Sequence, residues 1–451
     1  MARAPSVQAG LAVGREARAL RRLQAHHAFA AKHARIICTI SRRGVCFIML
    51  LTVSKRVEFS ASRRLFAPKF SAEENRKLFG EESTARYGTG RNYVAYFVFS
   101  GQPDTTTGML INISEIKERA GEIIHHRYDH RFLNEDNPAF RDRVPTAENI
   151  CRQLLDDVAP LFDGNPARLV AVHLRETPER SATAYAGGPI EANYWFDFSA
   201  TRRTISPHLS ASENERLFGI STGEHGHNYR ARLTLRADST PPEPALGTHE
   251  EISSLICLFR TQLDHKNLNR AVDALRGKPI TTESLARFIL QSGSGKVPLS
   301  RVRLHERDDF FAETWIDSGM FLGMREVFSA AHRLHVPSFS DRLNAELFGK
   351  CNNPRGHGHR YVAEATIGGE YDERSGALAN FEELRNALGR ALAPWRDKHL
   401  DLETEEFRDQ PSTGENIVRA LWPKLDNALQ QRLVRLRLWE TANNRFTLRR
   451  V

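Results

Sequence analysis

Cys351 stands six positions ahead of His357 in the stretch CNNPRGHGHRY, and His359 follows one residue later. On an extended strand, side chains two apart share a face, so two imidazoles separated only by Gly358 can converge on one ion. A third imidazole, His332 in FSAAHRL, lies on an earlier strand expected to pair with this one. Three imidazoles with an open fourth position are the ligand set of a catalytic rather than a structural zinc. Cys351 sits in a Gly/Asn/Pro loop just before these residues, where a nearby cation favours thiolate. Its plainer reading is a small buried hydrophobe.

The frame around these residues occurs three times. FSASRRL, FSATRRT and FSAAHRL begin at Phe59, Phe198 and Phe328, and each is followed by Leu-Phe-Gly, ending at Gly80, Gly219 and Gly349. Such spacings are domain-sized and imply tandem duplication rather than a solenoid. Each unit reads as strand, loop, strand, helix, helix, strand. VEFSAS and NYVAYFVF have strand composition, and Ile113, Ile116, Ala120 and Ile124 recur on one helical face, as do Phe381, Leu384, Leu388, Leu392 and Trp395. PTAENI, TTESLA and STGENI carry Thr or Ser ahead of Glu and mark the starts of second helices. Final strands are ARLVAVHLRE, SRVRLHE and RLVRLRLWE, with joints near Ala184 to Pro189 and Asp317 to Gly319. The domains are therefore expected at 49–185, 186–318 and 319–451.

The 451 residues, 40% hydrophobic and 26% charged, suit a soluble globular protein of two to four domains. Of the net charge of +9, most lies in residues 1–48, which hold nine Lys/Arg and one acid. A positive excess confined to a tail argues against a nucleic-acid-binding face. That tail is expected to be disordered or to lie outside the mature protein, since Met49 directly precedes the first repeat. The apolar run Val45 to Val53 is too short to span a bilayer, so no membrane role is expected. Five scattered cysteines argue against a disulfide framework and place the protein in the cytoplasm.

FSAAHRL, LFGKCNNPRGHGHRY, LDHKNLN, TTES and LWETANN together resemble the 6-pyruvoyl-tetrahydropterin synthase family and its 6-carboxytetrahydropterin synthase relative, over about residues 53–451. The resemblance implies an α+β tunnelling fold: three domains, each a four-stranded antiparallel sheet with two helices, closing into a pseudo-trimeric barrel that pairs as a homodimer. It also implies a zinc cofactor on His332, His357 and His359, with Cys351 as catalytic base. An Asp-His relay and a pterin-anchoring Glu are expected from a neighbouring repeat.

Carried over by position, repeat 1 keeps the relay Asp129–His130 and Glu176 but has Arg63, Thr89 and Arg91 at the metal positions. Repeat 2 keeps Asp264–His265, Glu306, His225 and His227 but has Arg202 at the first ligand position. Repeat 3 has all three histidines, Cys351 and Glu440, yet reads Arg396-Asp397-Lys398-His399 at the relay. His225 and His227 alone are too few to hold a metal well, and a shift of His399 into the relay would make repeat 3 self-sufficient. Thr146, Thr281 and Thr282 are candidate second substrate anchors. The losses are complementary, which predicts one composite site per chain, its relay lent by repeat 1 or repeat 2. The implied reaction takes the small-molecule pterin triphosphate 7,8-dihydroneopterin triphosphate to 6-pyruvoyl-tetrahydropterin with loss of triphosphate. The alternatives are the carboxytetrahydropterin reaction, or a non-catalytic pterin-binding or scaffold ring.

Overall fold

The computed structural model describes residues 37–40, 46–239, 246–317 and 319–451. In repeat 1, four strands, β2 (Cys46–Arg63), β3 (Thr89–Ser100), β4 (Arg168–Arg175) and β5 (Arg180–Tyr185), are accompanied by helices α1 (Ala72–Phe79), α2 (Ile113–Arg127) and α3 (Ala147–Val158). Repeat 2 follows with β6 (Ile190–Arg202), α4 (Ala211–Phe218), β7 (His225–Ala237), α5 (His249–Leu263), α6 (Thr282–Gly293), β8 (Leu299–Arg307) and β9 (Phe310–Trp315). Repeat 3 has β10 (Met320–His332), α7 (Asp341–Phe348), β11 (His357–Gly369), α8 (Phe381–Leu392), α9 (Gly414–Ala428), β12 (Leu433–Thr441) and β13 (Asn444–Arg450). Twelve strands, β2 to β13, run as an antiparallel meander in chain order. The ring closes where β13 pairs with β2, from Asn444↔Lys55 to Arg450↔Met49. A closed sheet leaves no edge of unpaired backbone groups.

Each repeat contributes a fourth strand, β5, β9 or β13, beyond the three read from its pattern. They are short and follow the third strand through tight turns, so they read as joints. A short helix also precedes each Leu-Phe-Gly glycine, capped in repeat 1 by a reciprocal Ser71–Glu74 box. The long helices start as expected, with Thr146, Thr281 and Thr413 capping α3, α6 and α9. Ile116, Ala120 and Ile124 are buried on α2, and Leu384, Leu388 and Leu392 on α8.

Within the tail, β1 (Ile37–Ile40) pairs with Cys46–Met49 of β2, while residues 1–36 and 41–45 of that reading lie outside the described residues. Among the described residues no helix is long and apolar enough to cross a membrane.

Candidate active site

His332 ends β10 directly opposite His357, the first residue of β11, and His359 lies opposite Ala330. The alternation of the strand brings all three imidazoles together, with ligand atoms within 4.8 Å of one another. The Nε2 atoms of His332 and His357 are 3.2 Å apart. Two nitrogens on one tetrahedral zinc are expected about 3.4 Å apart, so the spacing fits a shared ion. His359 Nε2, on the side of its ring that faces Glu440, is buried without a hydrogen-bond partner, as suits a nitrogen with a lone pair to give to a cation.

The first imidazole is oriented from behind. His332 is fully buried, and its Nδ1 faces the Ser412 carbonyl oxygen at 3.1 Å. Asp401 in turn accepts from the Ser412 amide at 3.1 Å, the Ser412 hydroxyl at 2.9 Å and the Arg333 amide at 2.8 Å. A carboxylate behind a ligating histidine fixes its tautomer and aim. In repeats 1 and 2 the residues that accept from the matching amides are Asn134 and Asn269. The acid therefore appears only where all three histidines do.

Glu440, at the β12–β13 turn, approaches the same cluster: Oε1 is 3.9 Å from His332 Nε2 and 3.8 Å from His359 Nε2. Its other oxygen accepts from Asn444 at 2.9 Å. The carboxylate beside the metal positions is thus repeat 3's own, which corrects the expectation that a neighbour supplies it. The geometry follows from the sheet, because β12 pairs with β11 and ends beside His359. Cys351 lies in the single turn Gly349–Asn352, where its carbonyl accepts from Leu334 at 2.9 Å. Burial, then the Glu440 charge, pushes its thiol up.

In the other two repeats an arginine fills this place. Arg202 is 3% exposed and pairs with Glu306 at 2.5 Å; His227 lies 3.0 Å from the other Glu306 oxygen, and Thr282 donates to the same carboxylate. Burial alone would raise the Glu306 carboxyl, but Arg202, with His227 and Thr282, holds it well below the usual range. In repeat 1, Arg63 is 1% exposed and pairs with Glu176 and Glu82, while Arg91 joins Glu82. Thr89 lies 3.5 Å from Glu82. Glu176 and Glu306 are therefore neutralised internally, and neither faces the three-histidine cluster. Thr146 and Thr281 are occupied as helix caps, and Thr281 also donates to Gly376 of repeat 3.

Two Asp–His dyads are formed. His130 Nδ1 lies 3.0 Å from Asp129, and His265 Nδ1 lies 3.1 Å from Asp264, with both imidazoles largely exposed. Each aspartate accepts a backbone amide, from Ser60 or Ser199, which holds it below the usual carboxylate range. Each histidine adopts a left-handed backbone, φ 55° at His130 and 54° at His265. In repeat 3 the left-handed residue is Asp397, φ 57°, whose amide bonds Ser329 as those of His130 and His265 bond Ser60 and Ser199. His399 stands two positions further on, paired beside Ala331. It does not enter the relay slot.

The ring order separates the two dyads. The Asp129–His130 dyad hangs on β2, just past the point where Lys55 donates to Asn444 and the Arg56 amide to Asn443, both in the turn that follows Glu440. The second dyad hangs on β6, where the Trp195 amide bonds Glu179 in the repeat 1 turn beyond Glu176. Repeat 1 also meets repeat 3 in the helix layer. The Leu110 amide donates to Glu415 at 2.9 Å, Thr413 to Gly108 at 3.1 Å, and Asn112 to Leu347 at 3.3 Å. Asp401, Ser412 and Glu415 were missed in the sequence. The recurrence of T-x-E in TAEN, TTES and TGEN is the signal that marks Glu415.

Comparison with known proteins gives the family. The model of the family 6-pyruvoyl tetrahydropterin synthase matches residues 52–186, 193–316 and 322–451. The 6-pyruvoyl tetrahydrobiopterin synthase of Drosophila melanogaster is 42% identical over 29% of this chain and 79% of its own length. The Homo sapiens protein of that name is 40% identical over 26% and 82%. A 6-carboxy-5,6,7,8-tetrahydropterin synthase of Rickettsia felis is 24% identical over 29% and 96%. The solved Caenorhabditis elegans 6-pyruvoyl tetrahydropterin synthase shares 37% identity over 28% of this chain and 94% of its own, with a TM-score of 0.27. With three successive copies of the motif and a match to each, the chain belongs to the 6-pyruvoyl tetrahydropterin synthase family.

Proposed function

We propose that the chain is a zinc-dependent 6-pyruvoyl-tetrahydropterin synthase-like lyase with one composite site, in which repeat 1 lends its Asp129–His130 relay to repeat 3. The observation that carries this reading is that, among the described residues, Glu440 alone of the three matching glutamates is free of an arginine partner, and it lies beside the three-histidine cluster. His332, His357 and His359 would hold zinc, which when bound acts as a Lewis acid toward the substrate's side-chain oxygens and makes adjacent C–H bonds acidic.

The remaining chemistry falls to the chain's own groups. Glu440 accepts two ring N–H groups of the pterin and fixes its orientation, a task suited to a carboxylate because it offers two acceptors. Cys351 removes a proton from a side-chain carbon as the thiolate that a cation held by the histidines would favour against its burial, and His130, oriented by Asp129, carries a second. Triphosphate leaves with the C–O bonding pair. The side-chain carbinols are oxidised as the dihydropterin ring is reduced, so no outside oxidant or reductant is consumed.

The order of the ring supports repeat 1 as lender, since its dyad borders the Glu440 turn while that of repeat 2 borders the Glu176 turn. Turnover of 7,8-dihydroneopterin triphosphate by His130→Ala, His265→Ala and Cys351→Ala tests this. A loss of about 10²–10⁴-fold is expected for His130→Ala and Cys351→Ala, with His265→Ala within a few fold of the parent. The reverse order between the two histidines would assign the relay to repeat 2. Product analysis in the same assay separates the pyruvoyl from the carboxy reaction, and a zinc-free, inactive chain would mark a scaffold.

A further inference from the structure

Strand alternation sends arginines inward at i and i+2 on several strands: Arg301 and Arg303 on β8, Arg435 and Arg437 on β12, Arg445 and, four residues on, Arg449 on β13. They face a cavity of about 970 Å³ inside the barrel, whose lining holds ten arginines against three carboxylates. At one rim its lining includes Gly101, residues 163–166, and Ala186, Gly187 and Pro189 of the turn after β5. This is the end of the ring away from the Glu440 turn and the histidine cluster, because β5 and β12 run between the two rims.

Of the three lining carboxylates Asp163 is exposed, while Glu191 and Glu313, and Glu364 outside the lining, are already engaged. Arg301 pairs with Glu191 at 2.7 Å, Arg303 with Glu313 at 2.6 Å and Arg437 with Glu364 at 3.0 Å. Among the described residues, Arg445 and Arg449 have no carboxylate within ion-pair distance, and the buried Nε atoms of both, like those of Arg435 and Arg437, lack a hydrogen-bond partner. Unpaired guanidinium groups crowded in a low-dielectric lumen repel one another and leave donors unsatisfied. The crowding is felt locally: burial, followed by Arg303 and Arg301, lowers Arg232 to about 9.

We propose that this lumen is a binding site for a small polyphosphate anion, of the inorganic triphosphate or nucleoside triphosphate class. Guanidinium forks match phosphate oxygens two by two, and several charges on one compact ligand are needed to offset an excess of this size. A single carboxylate or chloride would leave most donors empty.

The test is calorimetric titration of the full-length zinc-loaded protein with inorganic tripolyphosphate, orthophosphate and ATP at two salt concentrations, with thermal unfolding alongside. Tripolyphosphate is expected to bind at one site per chain, to raise the unfolding temperature more than orthophosphate, and to weaken as salt rises. Arg445→Gln/Arg449→Gln is expected to weaken binding at least tenfold, to unfold at a higher temperature than the parent in anion-free buffer, and to keep its zinc. The charge-preserving Arg445→Lys/Arg449→Lys pair is expected to retain most of the binding and serves where the glutamine pair does not fold. ATP binding as tight as tripolyphosphate admits nucleotides; exclusion of ATP confines the site to the inorganic anion. Absence of tripolyphosphate binding by the parent, or binding undiminished in the glutamine pair, overturns the proposal.

Discussion

The three repeats part company at the first of the three histidine positions. At the first ligand position Arg63 and Arg202 bring a fixed charge and close on their own glutamates, whereas His332 leaves Glu440 free. Repeat 2 lacks only this histidine, since His225 and His227 already share a strand face. Arg202→His is therefore expected to raise zinc content from about one ion per chain to about two, measured by elemental analysis after dialysis. Arg63→His is expected to add none, because Thr89 and Arg91 still replace the other two ligands. Asp401 makes a second case. Asp401→Asn, which mimics Asn134 and Asn269, is expected to weaken zinc binding by about 10–100-fold in a chelator competition assay, with little change in unfolding temperature of the zinc-free protein. No gain of zinc in Arg202→His, or unchanged affinity in Asp401→Asn, would contradict these assignments.

Elements set which residues meet, and some of this was legible in the sequence. The i and i+2 histidines, the Thr caps and the apolar stripes of α2 and α8 each depend on a local period, so the order of residues alone displays them. Ownership of the carboxylate was not legible. Glu440 meets its own repeat's histidines because β12 lies beside β11, and sequence spacing says nothing of that adjacency. The strand Arg180–Tyr185 was hidden for another reason: RSATAY is short, mixes small and polar residues, and runs into the turn at Gly187 and Gly188. The helix starts have a consequence for pH. Glu283 and Glu415 accept the amides of Leu378 and Leu110 across two seams, and burial raises both carboxyls from 4.5 to about 7. The folded state then keeps protons that the unfolded state releases between pH 4.5 and 7, so this contribution is greatest below 4.5 and is lost as pH rises through 7. Glu415→Gln keeps an acceptor for Leu110 without the charge. In zinc-free protein it is expected to unfold at a higher temperature than the parent at pH 8 and at nearly the same temperature at pH 5.

At the scale of the molecule, three unequal copies in one chain do what identical subunits cannot. A homotrimer repeats every site, whereas here, among the described residues, the three-histidine cluster occurs in one repeat and the Asp–His dyads in the other two. The seam that joins repeat 3 to repeat 1 has no direct chain connection; it is held by the register Asn444↔Lys55 to Arg450↔Met49 and by the Val451 amide on Ile48. If hydrogen bonding and packing close the ring, the point where the chain is cut should matter little. A circular permutant that joins Val451 to Met49 through a short glycine linker and opens at Gly187–Gly188, where both residues have positive φ and Gly187 is exposed, tests this. It is expected to keep one zinc per chain, to unfold within several degrees of the parent, and to retain turnover within a few fold, because the linker replaces a contact already made. A permutant that folds and binds zinc but has lost turnover would place the relay elsewhere than across this seam, since the covalent join fixes repeat 1 beside repeat 3 and leaves their order around the barrel unchanged.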